Sequence, residues 1–297
     1  MAEQPAAEEG MMTLGTVERH PPEEVFALLG DETRVRILQV LGEGPNEPRS
    51  FSTLHEAVGV EDSGQFNYHL RKMTDHFVRK VEGGYELTLA GRQLMGALQA
   101  GTYTASASME PLSIDTPCPE CGGNLIAEYV DEHVEMSCED CEEWRNLFPF
   151  PPGALESFDR TELPGAFDRW MWSLMERIYA GFCPTCSGRM SSQLVHDEDR
   201  SEAVRLDFTC AQCDEVARFS AVTALLFDTG IACFFREAGI DFRDLALWEI
   251  SSRTEKDLEV STDPLSVRIT LTAADHSVSA TLTEDARIVD VERSPGT

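Results

Sequence analysis

Apolar residues recur at helical spacing through the first third of the chain. From Pro22 onward, short apolar stripes end at a glycine or begin after a capping residue, which predicts a series of helices. Asp31 is expected to cap the second helix and Ser52 the third, which ends before Gly59. A fifth helix is predicted after Thr88, and its apolar side is a candidate dimer face formed by Leu94, Met95 and Leu98.

The fourth predicted helix, residues 62–77, has two chemically different faces. Asp62 is a favourable N-cap, and an apolar stripe follows at spacings of four, three and four residues: Phe66, Leu70, Met73 and Phe77. A short Gly-containing turn separates this helix from the third, which is the pattern of a helix-turn-helix. Amide side chains can pair with adenine edges, and Arg with guanine or phosphate. DNA contacts are therefore predicted from Ser63, Gln65, Asn67, Tyr68, Arg71 and Lys72.

A β-hairpin is predicted over residues 77–89, directly after this helix. Two β-rich runs flank Gly83-Gly84, and the favoured two-residue hairpin turns need the positive φ that glycine allows. Such a hairpin is the wing of a winged helix-turn-helix and would lie on the DNA backbone. Arg79 and Lys80 are therefore predicted to contact phosphates.

Changes in composition and pattern divide the chain into four segments. We expect a flexible acidic arm at 1–20, the winged helix-turn-helix at 21–104, a linker at 105–117 and a C-terminal domain at 118–297. The predicted fold class is α+β. In the C-terminal domain the pattern predicts a helix at 164–182, helices at 220–240 and, from alternating Val, Ile and Leu, a small antiparallel sheet at 246–293.

Eight of the nine cysteines form four Cys-x-x-Cys knuckles. The two knuckles of the first pair are separated by 16 residues and those of the second pair by 23. Four thiolates suit a closed, tetrahedral structural Zn²⁺ site, so zinc ribbons with one Zn²⁺ each are predicted at 118–150 and 183–219. The predicted ligands are Cys118, Cys121, Cys138 and Cys141 in the first ribbon, and Cys183, Cys186, Cys210 and Cys213 in the second.

Cysteine pairs of this kind also occur as disulfides and as redox dithiols. A disulfide framework is disfavoured in a reducing cytoplasm, and a redox dithiol is disfavoured because nothing βαβ-like surrounds a knuckle. The ninth cysteine, Cys233, lies in an apolar segment and is expected to be a small buried hydrophobe.

The chain is strongly acidic, with 24 Lys and Arg against 53 Asp and Glu and a net charge of −29. Residues 22–102 carry eight basic and twelve acidic residues, so most of the acidic excess lies outside the segment assigned to DNA. A lysine-poor acidic surface indicates a salt-rich cytoplasm, where salt screens self-repulsion; an ordinary acidic protein is the alternative. With no apolar run near the roughly 20 residues that span a bilayer and no signal-peptide pattern, a cytoplasmic location without a membrane partner is expected.

Residues 22–104 resemble ArsR-like winged-helix transcription regulators of the kind found in halophilic archaea. The resemblance rests on three stretches, Leu28–Leu38, Asp62–Leu70 and Tyr85–Gly91, and covers about 80 residues. It implies a homodimer whose two recognition helices enter successive major grooves of double-stranded DNA. Metal sensors of this family carry a Cys pair on the third helix, whereas residues 52–58 contain none, so arsenic or cadmium sensing is not implied.

The sequence therefore predicts a sequence-specific, DNA-binding transcription regulator and not an enzyme. It has no phosphate-binding loop, dinucleotide fingerprint, His-Glu-x-x-His motif or nucleophile elbow. The C-terminal domain is expected to bind an effector, a small molecule or the transcription machinery, or to support oligomerisation. One alternative is an adaptor whose zinc ribbons dock a partner while the winged helix only dimerises. Another is a zinc or redox sensor in which one ribbon is labile.

Overall fold

The computed structural model describes residues 18–196 and 204–296. Within them the fold is α+β, with ten helices and four antiparallel sheets. The chain divides into two compact units, Met1–Thr104 and Ala105–Thr297. Of the expected arm at residues 1–20, residues 1–17 lie outside the described residues. No helix in the described part combines the length and the apolar character needed to cross a membrane.

The N-terminal unit consists of five helices and one hairpin. They are α1 (Pro22–Ala27), α2 (Glu32–Gly42), α3 (Phe51–Val58), α4 (Ser63–Met73), β1 (Val78–Val81), β2 (Gly84–Leu87) and α5 (Leu89–Gln99). Four helices begin at side-chain caps, in which an oxygen accepts backbone N–H bonds from the first turn. The capping residues are Asp31, Ser50, Asp62 and Thr88.

Two boundaries differ from the prediction. The third helix is capped by Ser50, two residues before the expected Ser52, because the Ser50 hydroxyl accepts the N–H of Thr53 at 3.1 Å. The fourth helix ends at Met73 and does not continue to residue 77, because Thr74 is extended and Asp75 has a φ of 73°. The chain turns back there, so that Phe77 is still buried.

The core of this unit is formed by α2, α3, α4, the hairpin and α5. The candidate dimer stripe on α5 packs partly against this core. Met95 is 7% exposed and packs beside Gly42, while Leu94 and Leu98 are half-buried against the same cluster. Met95 therefore buries its apolar surface within its own unit, whereas Leu94 and Leu98 keep part of theirs exposed.

The C-terminal unit begins with a four-stranded sheet. Its strands are β3 (Met109–Pro117), β4 (Asn124–Val130), β5 (His133–Cys138) and β6 (Arg145–Pro149), followed by α6 (Pro152–Leu155) and α7 (Leu163–Tyr179). The expected linker at 105–117 is therefore wrong over most of its length. Leu112 and Ile114 alternate into the core, and β3 pairs antiparallel with β4.

A second, three-stranded sheet follows α7. It consists of β7 (Met190–His196), β8 (Val204–Cys210) and β9 (Val216–Ser220), and two helices come after it, α8 (Thr223–Phe227) and α9 (Thr229–Glu237). The acidic run at residues 197–199 lies outside the described residues.

The chain ends in a four-stranded meander preceded by a helix. The elements are α10 (Leu247–Arg253), β10 (Glu255–Thr262), β11 (Leu265–Ala273), β12 (His276–Thr283) and β13 (Ile288–Ser294). Strands were expected from residue 246, but Leu247–Arg253 is helical. Trp248 and Ile250 are buried on this helix, and Leu247 donates its N–H to the Asp168 carboxylate at 2.8 Å.

Helix α7 contributes to both apolar cores of the C-terminal unit. Phe167 and Met171 pack with the first sheet, and Trp172 and Ile178 pack with the second sheet and the C-terminal meander. Helix α10 does the same through Trp248 and Ile250, so the two halves of the unit are linked through two helices.

Candidate functional site

The first cysteine cluster lies where β3, β4 and β5 meet. Sγ of Cys118 is 3.8 Å from Sγ of Cys141, and Sγ of Cys121 is 3.5 Å from Sγ of Cys138. All four sulfurs lie within 4.8 Å of one another. Cys118 and Cys138 are buried, whereas Cys121 is exposed, so the cluster sits at the end of the sheet with one side towards solvent.

The second cluster repeats this geometry at the end of β7 and β8. Sγ of Cys183 is 3.7 Å from Sγ of Cys213, and Sγ of Cys186 is 3.5 Å from Sγ of Cys210. In both clusters the first cysteine in the sequence is next to the fourth and the second is next to the third. The four sulfurs again lie within 4.8 Å of one another.

These distances fit metal coordination. Sulfurs about 2.3 Å from a tetrahedral Zn²⁺ are about 3.8 Å apart, whereas a disulfide would hold two sulfurs about 2.05 Å apart. All the cysteines are free thiols. Each cluster can therefore hold one metal ion, and the eight predicted ligands are brought together as two sets of four.

Backbone N–H groups point at the sulfurs. In the first cluster the N–H of Gly123 donates to Cys121 at 3.4 Å, and in the second the N–H of Gly188 donates to Cys186 at 3.3 Å. Both glycines are also crowded. A Cβ on Gly188 would lie 3.0 Å from the sulfur of Cys210, and one on Gly123 would overlap the carboxylate of Asp140. The two knuckles of each cluster are thus too close for a side chain at these positions.

The thiols of a cluster oppose one another's ionisation. The N–H of Gln212 stabilises the Cys210 thiolate and lowers its pKa to about 7. At Cys213 the N–H of Glu215 also lowers the pKa, but the neighbouring thiols, Cys186 first, outweigh it and raise the pKa to about 12. In the first cluster the pKa of Cys121 is likewise raised to about 12, and the pKa of Cys138 is lowered. A central divalent cation would remove this conflict, because it stabilises all four thiolates together.

A second candidate site is the outer face of α4. Its six predicted DNA-contacting residues, Ser63, Gln65, Asn67, Tyr68, Arg71 and Lys72, are all exposed. The inner face is buried and holds Phe66, His69, Leu70 and Met73. The helix therefore presents one continuous polar and cationic surface while its other side fixes it to the core.

The two predicted wing residues are both exposed but differ in their contacts. Arg79 makes two contacts to one carboxylate oxygen of Glu86, at 2.7 Å from Nε and 2.6 Å from Nη2. Lys80 has its ammonium 6.0 Å from the centroid of the Tyr85 ring. The carboxylate thus partly neutralises Arg79, whereas Lys80 has no carboxylate partner among the described residues.

The hairpin is also fixed to the segment before α3. The N–H groups of Arg49 and Tyr85 each donate to the other residue's carbonyl at 2.9 Å, which adds a short third strand. A Cβ on Gly84 would overlap the Arg49 carbonyl, so this position requires glycine.

Sequence reasoning missed two buried polar residues. His69 is 7% exposed, with Nδ1 3.3 Å from the Asp31 carboxylate that caps α2. Asp168 is 9% exposed and caps α10 through Leu247. A signal for His69 exists, because it follows Phe66 by three residues and therefore lies on the apolar stripe. Nothing local identifies Asp168, since its partner is 79 residues away.

Cys233 takes no part in either cluster. It is half-buried and not fully buried as expected, and its sulfur accepts a contact from the Arg236 guanidinium at 3.4 Å. Among the described residues, the two Cys₄ sets are the only groups of three or more His, Cys, Asp or Glu side chains close enough to hold a metal ion.

Two family models match the chain. Residues 22–98 match a domain of unknown function, DUF7347, and residues 115–288 match another, DUF7351. No curated protein and no solved structure matches the chain. Because the match over residues 115–288 covers more than half of the 297 residues, the chain belongs to the family described as the domain of unknown function DUF7351.

Proposed function

We propose that the protein is a sequence-specific DNA-binding transcription regulator that acts as a dimer. The observation that carries this proposal is the polarity of α4, whose inner face is buried and whose outer face exposes amide, hydroxyl, phenol and cationic groups together. In the proposal, residues 21–104 are a winged helix-turn-helix of the ArsR-like type, α4 is the recognition helix and the β1–β2 hairpin is the wing.

The local geometry supports a recognition role for α4. α3 ends at Gly59, whose φ is 78°, and Asp62 caps α4 three residues later. A short turn of this kind between two packed helices is what a helix-turn-helix needs. Gln65, Asn67 and Arg71 carry the side chains that read base edges in the major groove.

The distribution of lysine also supports this surface. The chain has three lysines, and two of them, Lys72 and Lys80, lie on α4 and the wing. In a chain with a net charge of −29, cations placed there stand out from the acidic surroundings. They would contact phosphates, which position a protein on DNA without reading its sequence.

In this proposal Zn²⁺ occupies both cysteine clusters and acts structurally. Four thiolates with no open position suit a closed zinc site, and the buried members of each set contribute to the apolar cores. The C-terminal unit would then be the rigid part that binds an effector or a partner.

The test is selection of random-sequence duplex DNA by the zinc-loaded protein at high potassium chloride, followed by sequencing. We expect one palindromic motif to be enriched. The double variant Gln65→Ala/Arg71→Ala should lose this enrichment. The matched control, Arg36→Ala/Gln39→Ala, removes the same residue types from exposed positions of α2 and should retain it.

Enrichment that survives the α4 variant, or no enrichment by a folded, zinc-loaded protein, would overturn the proposal. The adaptor alternative would then be favoured. Its supporting observations are the negative charge of residues 22–102 and the pairing of Arg79 with Glu86.

A further inference from the structure

One edge of the C-terminal sheet is a long, regular strand with a free side. β10 pairs with β11 over eight consecutive residues without a bulge, and all eight are exposed. At the other edge, the pairing of β13 with β12 shifts register after Ser279, and Asp290 has a φ of 51°. Bulges protect sheet edges from pairing with other chains. β10 has no bulge, and the one charged side chain on its apolar side, Lys256, lies near its start opposite Leu271. From Asp257 onward the strand presents backbone N–H and C=O groups to a partner strand.

The apolar face of the sheet continues onto β10. Leu258 lies opposite Ile269, and Val260 opposite Val267; the two β11 residues are fully buried. Leu258 and Val260 are each 36% exposed, because the core ends beneath β11. A strand added beside β10 would extend this face and cover both side chains.

The outer face of β10 carries a row of carboxylates. Glu255, Asp257 and Glu259 alternate with Lys256, Leu258 and Val260, and all three carboxylates are exposed. None of them forms an ion pair with a basic side chain of the described residues; the neighbouring Arg268 is paired with Glu292 at 2.7 Å. These charges are left available to a partner.

We propose that β10 docks an extended basic segment of another protein, in which apolar residues alternate with Lys or Arg. Backbone hydrogen bonds to the free edge would supply affinity. The partner's apolar residues would cover Leu258 and Val260, and its cations would face the carboxylates.

The charge pattern argues against a second copy of this chain as the occupant. If two β10 strands paired antiparallel about Leu258, Asp257 of one copy would lie opposite Glu259 of the other. Like charges directly opposite one another destabilise a sheet. A basic strand meets opposite charge at the same positions.

The test uses the full, zinc-loaded chain and two synthetic peptides of equal composition and charge. One peptide contains four Lys-Val repeats, and the other has four Lys followed by four Val. We expect the alternating peptide to bind about tenfold more tightly and to slow amide hydrogen exchange in residues 255–262, because only it can match both faces of the strand. The variant Asp257→Lys/Glu259→Lys should weaken binding about tenfold. Glu237→Lys, on exposed α9 of the same unit, should change it less than twofold, as expected for screened surface charge.

Three outcomes would overturn the proposal. Equal affinity for the two peptides would show attraction to the net charge alone. Protection outside residues 255–262 would place the peptide elsewhere. Protection of residues 255–262 without peptide that increases with protein concentration would identify a second copy as the occupant. None of these depends on DNA binding.

Discussion

At the scale of single residues, Gly188 shows how closely the two knuckles of the second cluster approach. Its N–H donates to the Cys186 sulfur, and a Cβ there would lie 2.9 to 3.1 Å from Gln212, Cys210 and Cys186. The position therefore excludes a side chain, because a Cβ would press against Gln212 and Cys210 of the other knuckle.

We expect Gly188→Ala to weaken metal binding at one of the two sites. Groups that support metal ligands typically contribute about 10- to 100-fold in affinity, and the added methyl group would push the knuckles apart. Competition with a coloured chelator would measure the affinity of each site. Gly96→Ala is the control, because no atom lies within 4 Å of that added Cβ. Equal affinities in the two variants would show that the knuckles can separate without loss.

The ion pair in the hairpin leads to a prediction that rests on the proposed function. Glu86→Gln should release Arg79 and raise affinity for all duplex sequences by about three- to tenfold, since phosphate contacts carry no sequence information. Glu82→Gln is the control, because it removes the same charge from an exposed position in the same hairpin. Fluorescence anisotropy with specific and random duplexes would measure both. If the two variants gain affinity equally, only net charge matters.

At the scale of elements, the sequence predicts best those whose signals are local. α2, α4 and α5 were predicted with the correct capping residues, because an N-cap acts within one turn and the apolar stripe sits beside it. The cysteine sets were equally predictable, because a Cys-x-x-Cys knuckle is a local unit with few uses.

Elements defined by distant partners were not predicted. The composition of residues 105–117 predicts a linker, yet Met109–Pro117 form strand β3 because β4 pairs with it. The strand prediction over α10 rests on Leu247 and Glu249, whose spacing fits a period of two, whereas Trp248 and Ile250 break that alternation. The segment is helical where Trp248 and Ile250 pack into the cores and where Asp168 on α7 caps it. Period alone does not separate the two structures in a seven-residue segment.

The cap on α10 gives a prediction about pH. Desolvation raises the pKa of Asp168, although the bond from Leu247 and nearby arginines oppose it. Since the folded-state pKa is above the unfolded value, the native state binds more protons between them. The contribution of this carboxyl to folding is therefore greatest at low pH and is lost as the pH rises through the raised pKa.

Asp168→Asn should therefore match or exceed the wild-type free energy of unfolding at neutral pH, because the amide oxygen still accepts the Leu247 N–H without a charge. Any gain in the free energy of unfolding of Asp168→Asn over wild type should disappear in acid. Asp168→Ala should lose about 1 to 3 kcal/mol, because the N–H is left unpaired. Urea unfolding of the metal-loaded proteins across a pH series would measure these free energies. Because the cysteine clusters are identical in all three proteins, comparing each variant with wild type at the same pH cancels the pH dependence of the clusters. A parallel loss in both variants would mean that the charge itself is needed.

At the scale of the whole molecule, we expect the two units to depend on metal to different extents. The N-terminal unit has its own apolar core and contains no cysteine. In the C-terminal unit, Cys118 and Cys138 are part of the first core, and Cys183 and Cys210 are part of the second. Helix α7 contributes side chains to both, so loss of one metal should loosen both cores.

Metal removal tests this difference directly. After chelation, hydrogen exchange should become fast across residues 105–196 and 204–296, while residues 18–104 keep their protection, because binding of structural zinc is coupled to folding. Cys118→Ser and Cys183→Ser should each have the same effect on both sheets, and Cys233→Ser, outside the clusters, should have none. If hydrogen exchange becomes fast only in the sheet that carries the substitution, α7 does not couple the two cores. If chelation also abolished protection of residues 18–104, folding of the N-terminal unit would itself require metal, and a zinc-sensing role would gain support over a purely structural one.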